Sequence, residues 1–161
     1  MNIDEFWKII DKGKNSDKPE DVIYGELKKL SPGEITSYQE HFDTLHEKAY
    51  QWPLWGAAYV IEGGCSNDGF MDFRYGLISK GKRAYENALN NPDSLADLGA
   101  PVEIRNELFG YVAQEAYEEI TDNQIPRKEF AGSREPNGKR WDFDDEAENL
   151  NQLPKLMKLH Q

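Results

Sequence analysis

Cysteine is almost missing from this chain, with Cys65 alone among 161 residues, and histidine is scarce, at three. One thiol cannot close an internal disulfide, and one cysteine with three histidines cannot furnish the paired ligand spacings of a structural zinc site. A reducing, cytoplasmic setting with no structural metal is the expectation. Long apolar runs are missing too: nothing approaches the roughly 20 consecutive apolar residues that span a bilayer, and the opening MNIDEFWKII puts acids where an export signal carries bases. No membrane association is expected. Positive charge is in short supply, with 19 Lys and Arg against 30 Asp and Glu, a net charge of -11 at pH 7. Such a field repels phosphate backbones, which disfavours nucleic acid as a ligand and favours a basic protein as a partner.

Helix punctuation fills the rest. At 161 residues the chain suits one domain that buries roughly 70% of its unfolded surface. Ile3, Phe6, Trp7 and Ile10 recur at threes and fours behind Asp4 and Glu5, which predicts an amphipathic first helix over 2–15. Asp17 with Pro19 opens a second, carrying Val22, Ile23, Leu27 and Leu30. Ser31-Pro32-Gly33-Glu34 spells a capping box for a third that ends near Gln51. Leu54 to Ile61 is apolar nearly all round and reads as the central buried helix, closed by Gly63-Gly64. Phe70, Phe73 and Leu77 mark the next, and Arg83–Asn90 a short one. From Pro101 the residues Ile104, Leu108, Val112, Ala116 and Ile120 trace a helical stripe of four turns or more. The expected fold is all-α, a single domain over 1–161 of about six to eight helices, with Leu54–Ile61 and Phe70–Ile78 as its core pair. Residues 121–143 lack periodicity and read as a long irregular loop, and 144–161 as a C-terminal helical tail with Leu150, Leu153, Leu156 and Leu159 broken at Pro154.

The chemistry concentrates between the two central helices. Cys65 follows the glycine pair at a helix start, where backbone N–H groups and the dipole lower a thiol pKa, a setting for a nucleophile, but a free cysteine most often serves as a small buried apolar residue, and that structural role is the leading expectation. Ser66 is placed to cap the helix that follows. Asp68 and Asp72, four apart, share one face, while Arg74 points to another neighbour, with Glu62 the expected one. Ser66-Asn67-Asp68-Gly69 fails as a calcium loop, because Gly64 stands where the first aspartate belongs and Tyr75 where the closing glutamate belongs. The glycines do not form a phosphate-cradling loop either, so no cofactor and no metal is expected. Gly63-Gly64 is expected to gather Glu62, Cys65, Asp68, Asp72 and Arg74 at one junction, with Trp55 and Tyr59 one or two turns upstream; a structural junction, the favoured reading, has its charges paired and its groove filled, whereas a site has the two aspartates lining an open concave surface with Trp55 or Tyr59 as a wall.

Trp55-Gly56-Ala57-Ala58-Tyr59, then Gly63-Gly64-Cys65-Ser66-Asn67-Asp68-Gly69-Phe70, Asp72-Phe73-Arg74, Leu77-Ile78 and Gly81 resemble the signature of the bacterial family called domain of unknown function 4240. Asn91-Pro92-Asp93-Ser94-Leu95-Ala96, Trp141-Asp142 and Leu153-Pro154 are similar to it as well. The resemblance implies a shared fold and motif but no reaction, and suits a regulatory or interaction role. The resulting expectation is a non-enzymatic binding or regulatory module that recognises another protein through an acidic surface. The alternative is a hydrolase or transferase with its site at the Gly63-Gly64 junction, using Cys65 or the Asp68 and Asp72 pair.

Overall fold

Nine of the 13 residues of helix α5 (Asn67–Ser79) are buried, with Phe70, Phe73, Leu77 and Ile78 fully enclosed. Helix α4 (Trp52–Glu62) precedes it and closes at Gly63, whose φ of 70° is a left-handed conformation that glycine adopts without a side-chain clash. Leu54–Ile61 is not the fully buried helix that its composition suggests: only Leu54, Gly56, Ala57 and Ala58 of α4 are buried, while Trp55 and residues 59–62 are half-buried, so of the two α5 alone is enclosed. The other helices are α1 (Ile3–Asp11), α2 (Pro19–Leu27), α3 (Pro32–Lys48), α6 (Lys82–Asn90), α7 (Val112–Thr121), α8 (Glu146–Gln152) and α9 (Pro154–Leu159). Their apolar faces meet in one continuous core. The structure is a computed structural model that describes residues 1–128 and 134–160; it is all-α, with no strand among the described residues.

Local signals set several helix starts. Asn2 with Glu5 and Ser31 with Glu34 form reciprocal capping boxes at α1 and α3. The cap of α2 falls on Lys18 instead of Asp17, and its side chain makes no capping bond. Pro19 causes the shift: a residue before proline is pushed out of the helical region, so Lys18 must be the boundary.

The largest departure from the sequence reading follows Pro101. No helix begins there; residues 102–106 run extended, a 3-10 turn spans Leu108–Tyr111, and α7 starts only at Val112. Gly76 of α5 supplies the reason. A Cβ at position 76 would stand 1.6 Å from the Ile104 carbonyl oxygen, so the bare backbone of α5 forms a groove that the extended segment occupies. Asn106 N–H donates to the Asp72 carbonyl at 3.1 Å and pins it there. Val102 and Ile104 then point into the core, an alternation suited to an extended strap.

Residues 134–145 carry no helix and lie along α4. Asn137 exchanges backbone hydrogen bonds with Tyr50 and Trp52, at 3.0 and 2.7 Å. Trp141 packs on Gly56, where a Cβ would come within 2.5 Å of the indole. Its Nε1 donates to Asn149 Oδ1 at 2.7 Å, tying the segment to α8. In the tail, Leu153 and Leu156 are buried while Leu150 and Leu159 face solvent.

Candidate functional site

The turn at Gly63 and Gly64 brings Glu62, Cys65 and Asp72 together, and it meets a residue that the sequence reading did not single out. Arg105, carried in by the extended strap, reaches Asp72 Oδ2 at 3.2 Å and Glu62 Oε1 at 3.7 Å. Asp72 is only 5% exposed, and its Oδ1, like Glu62 Oε2, is buried with no hydrogen-bond partner among the described residues. Two carboxylates thus share one guanidinium that is itself half in solvent. Burial raises the Glu62 pKa, Arg105 opposes that shift, and the Asp72 charge adds to it.

This environment opposes the lowered thiol pKa that the helix start suggests for Cys65. Burial first, then the Glu62 carboxylate, pushes the thiol up to about 12, with Arg105 countering only in part. The helix-start contribution that the sequence suggested is outweighed by desolvation and two neighbouring acids. Asp68 is exposed where Asp72 is buried, so the two carboxylates sit in different surroundings. Ser66 accepts from Gly69 N–H at 3.1 Å and is the cap of α5.

Arg74 does not pair with Glu62. It points to the far side of α5, where its Nη1 donates to the His46 carbonyl at 2.8 Å. Its guanidinium lies over the rings of Tyr50 and Phe70, 4.6 and 4.9 Å from their centroids. An arginine there satisfies the last turn of α3 and its negative dipole end, which explains a buried cation with no carboxylate beside it among the described residues. Burial lowers its pKa to about 10.

Trp55 and Tyr59 belong to a stripe on α4, Trp52-Trp55-Tyr59-Glu62, spaced by three, four and three residues. Trp55 stacks between Trp52 and Phe70, at 5.3 and 4.9 Å, and its Nε1 donates to the Cys65 carbonyl at 2.9 Å. Tyr59 turns the other way, its hydroxyl donating to Asp144 Oδ1 in a short hydrogen bond and its ring 5.6 Å from Phe143. That bond, chiefly, raises the Tyr59 pKa. Arg140 caps the stripe, 4.4 Å above Trp52. Tyr59, Arg140, Trp141, Asp142, Phe143 and Asp144 surround an open cavity of about 510 Å³. Its lining joins aromatic rings and two carboxylates, which can receive a cationic side chain, with the Arg140 guanidinium, which is turned onto Trp52. Among the described residues no group of three or more His, Cys, Asp or Glu is placed to hold a metal ion.

Residues 1–119 match the family described as protein of unknown function (DUF4240). The chain belongs to this family. No curated protein and no solved structure matches it. In this DUF4240 chain the matched span holds the whole Glu62, Cys65, Asp72 and Arg105 junction and ends before the Arg140–Asp144 wall of the open cavity. A surplus of acids around the glycine pair called for a cation but did not say which residue would supply it. The Arg140–Asp144 wall had a legible trace, two aromatics interleaved with acids in WDFDD.

Proposed function

We propose that this protein is a non-enzymatic binding module that recognises a basic segment of a partner protein, received at the cavity between α4 and residues 140–144. The observation that carries the reading is the pairing of half-buried Tyr59 and Phe143 with the exposed carboxylates of Asp142 and Asp144 around one cavity. An arginine or lysine from a partner gains ring contact and charge neutralisation together there, and the net charge of -11 steers such a partner in. A thiol held as a thiol at neutral pH supports a non-enzymatic reading of the glycine junction.

Titration of hexaarginine peptide by calorimetry tests this. Saturable binding should weaken about tenfold in an Asp142→Asn/Asp144→Asn protein and in Tyr59→Ala, the size of one lost charged contact. A Glu118→Gln/Glu119→Gln protein removes the same charge from exposed positions on α7 and should bind as the parent does. Equal weakening in both double variants would reduce the effect to net charge and overturn the site.

A further inference from the structure

Lys14, Lys80 and Arg83 line one cavity of about 360 Å³, between α6 and the 3-10 turn Pro92–Leu98. In a chain with 30 acids to 19 bases, such a gathering of one sign runs against the overall charge. None of the three has a carboxylate within 4.0 Å among the described residues, whereas Lys12, Arg105, Arg127 and Lys155 do. The nearby acids are turned to other groups. Asp97 Oδ1 accepts from Lys155 Nζ at 3.3 Å, and Asp11 Oδ1 accepts from the Lys82 N–H at 3.4 Å. Like charges that share a concave wall repel one another and concentrate positive potential in the hollow.

Three further features give the cavity a direction. The first turn of α6 borders it at Arg83 and Ala84, so the positive end of a nine-residue helix adds to the cations. Asn87 and Ser94 supply neutral hydrogen-bonding groups on the wall. Leu95 and Leu98 supply an apolar side, and Leu98 is 46% exposed, a large hydrophobic side chain left in water at the rim. A second hollow of about 230 Å³ shares Lys14 and Lys80, but Asp17 and Glu103 line it too, so the greater excess of positive charge belongs to the first.

We propose that this cavity is a binding site for a small phosphate monoester with an apolar body. A phosphate monoester carries close to two negative charges at neutral pH, which three cations match and one carboxylate does not. Arginine offers it a two-pronged donor and lysine a point charge. The apolar body lies on Leu95 and Leu98 and covers the surface that the free protein exposes. This site is separate from the basic-segment cavity in both residues and ligand sign, and either stands without the other.

Phenyl phosphate is the probe, followed by calorimetry and by amide chemical shifts. It should bind saturably with a dissociation constant below about 1 mM, and inorganic phosphate and benzoate should each bind roughly tenfold more weakly or worse. Replacing half-buried Lys80 and exposed Arg83 together, Lys80→Gln/Arg83→Gln, should weaken phenyl phosphate about a hundredfold, and Leu98→Ser several-fold. The thermal midpoint of each variant reports whether it is folded. Should the double variant fail to fold, the shifts of the native protein decide: perturbation centred on residues 80–87 and 94–98 supports the site. No saturable binding at about 10 mM, unchanged affinity in the folded double variant, equal affinity for benzoate, or shifts centred elsewhere would each overturn it.

Discussion

His46 is held neutral by its surroundings. Its Nε2 donates to the Met71 carbonyl at 3.0 Å, its Nδ1 faces Arg74 Nη1 at 3.5 Å, and its ring stacks on Tyr75 with centroids 4.3 Å apart. Burial first, then the Arg74 charge, pulls its pKa down to about 3 from the ordinary 6.5. A base whose folded pKa is depressed binds fewer protons folded than unfolded between those two values. Its contribution to stability is therefore whole above pH 6.5 and is lost as pH falls toward 3. Between pH 7 and pH 5, above most carboxylate titrations, the protein should lose roughly 2 kcal/mol of unfolding free energy through this residue. Urea unfolding across that range checks it, and a His46→Gln protein should no longer show this loss over the same interval.

At the scale of elements, the packing of the extended strap 101–106 against α5 controls the candidate junction, because it delivers Arg105. Gly76→Ala would force a methyl into the Ile104 carbonyl, where backbone and not a flexible side chain must yield. A loss above about 3 kcal/mol, or failure to fold, is expected. Gly25→Ala in α2 meets nothing within 4 Å and should instead gain about 0.5–1 kcal/mol from helix propensity and a less free unfolded chain. Denaturant midpoints of the two proteins should move in opposite directions. The same contrast explains what was legible beforehand. The capping box at Ser31, the glycine stop at Gly63 and the Ser66 cap are written within four residues of sequence and were readable; the Asn2 box is just as local, yet the stripe over 2–15 hid it by taking Asn2 into the helix. The strap was not readable. Ile104 and Leu108 fit a helical spacing, and only Gly76, 28 residues earlier, makes the extended path available. The location of the junction was readable for the same local reasons, while its cation, 33 residues beyond Asp72, was not.

Taken whole, the molecule is larger than its family match, which ends at residue 119. Trp141, Leu153 and Leu156 lie in the same core as Phe6 and Phe73. Asp93, only 5% exposed, accepts from the Lys155 and Leu156 N–H groups at 3.0 and 2.9 Å and so caps α9 from 62 residues away. A chain ending at Lys128 leaves this carboxylate without those donors and uncovers the α4 face under Trp141. Its thermal midpoint should fall by more than about 10 °C, or cooperative unfolding should vanish, as expected for loss of several buried apolar side chains. An unchanged midpoint would mean that the tail only decorates a finished core.

The Asp93 cap also has a meaning in time. Synthesis runs from the N-terminus at roughly 5–20 residues per second, so the cap residue exists for several seconds before the helix that it caps. A six-residue helix such as α9 has too few turns to form alone in water. Until residues 153–156 emerge, Asp93 stays hydrated and the apolar ground beneath the tail stays open to other chains. The turn that covers this ground is made well after the carboxylate that caps it, and in the seconds between, the nascent chain is open to chaperones or to its neighbours.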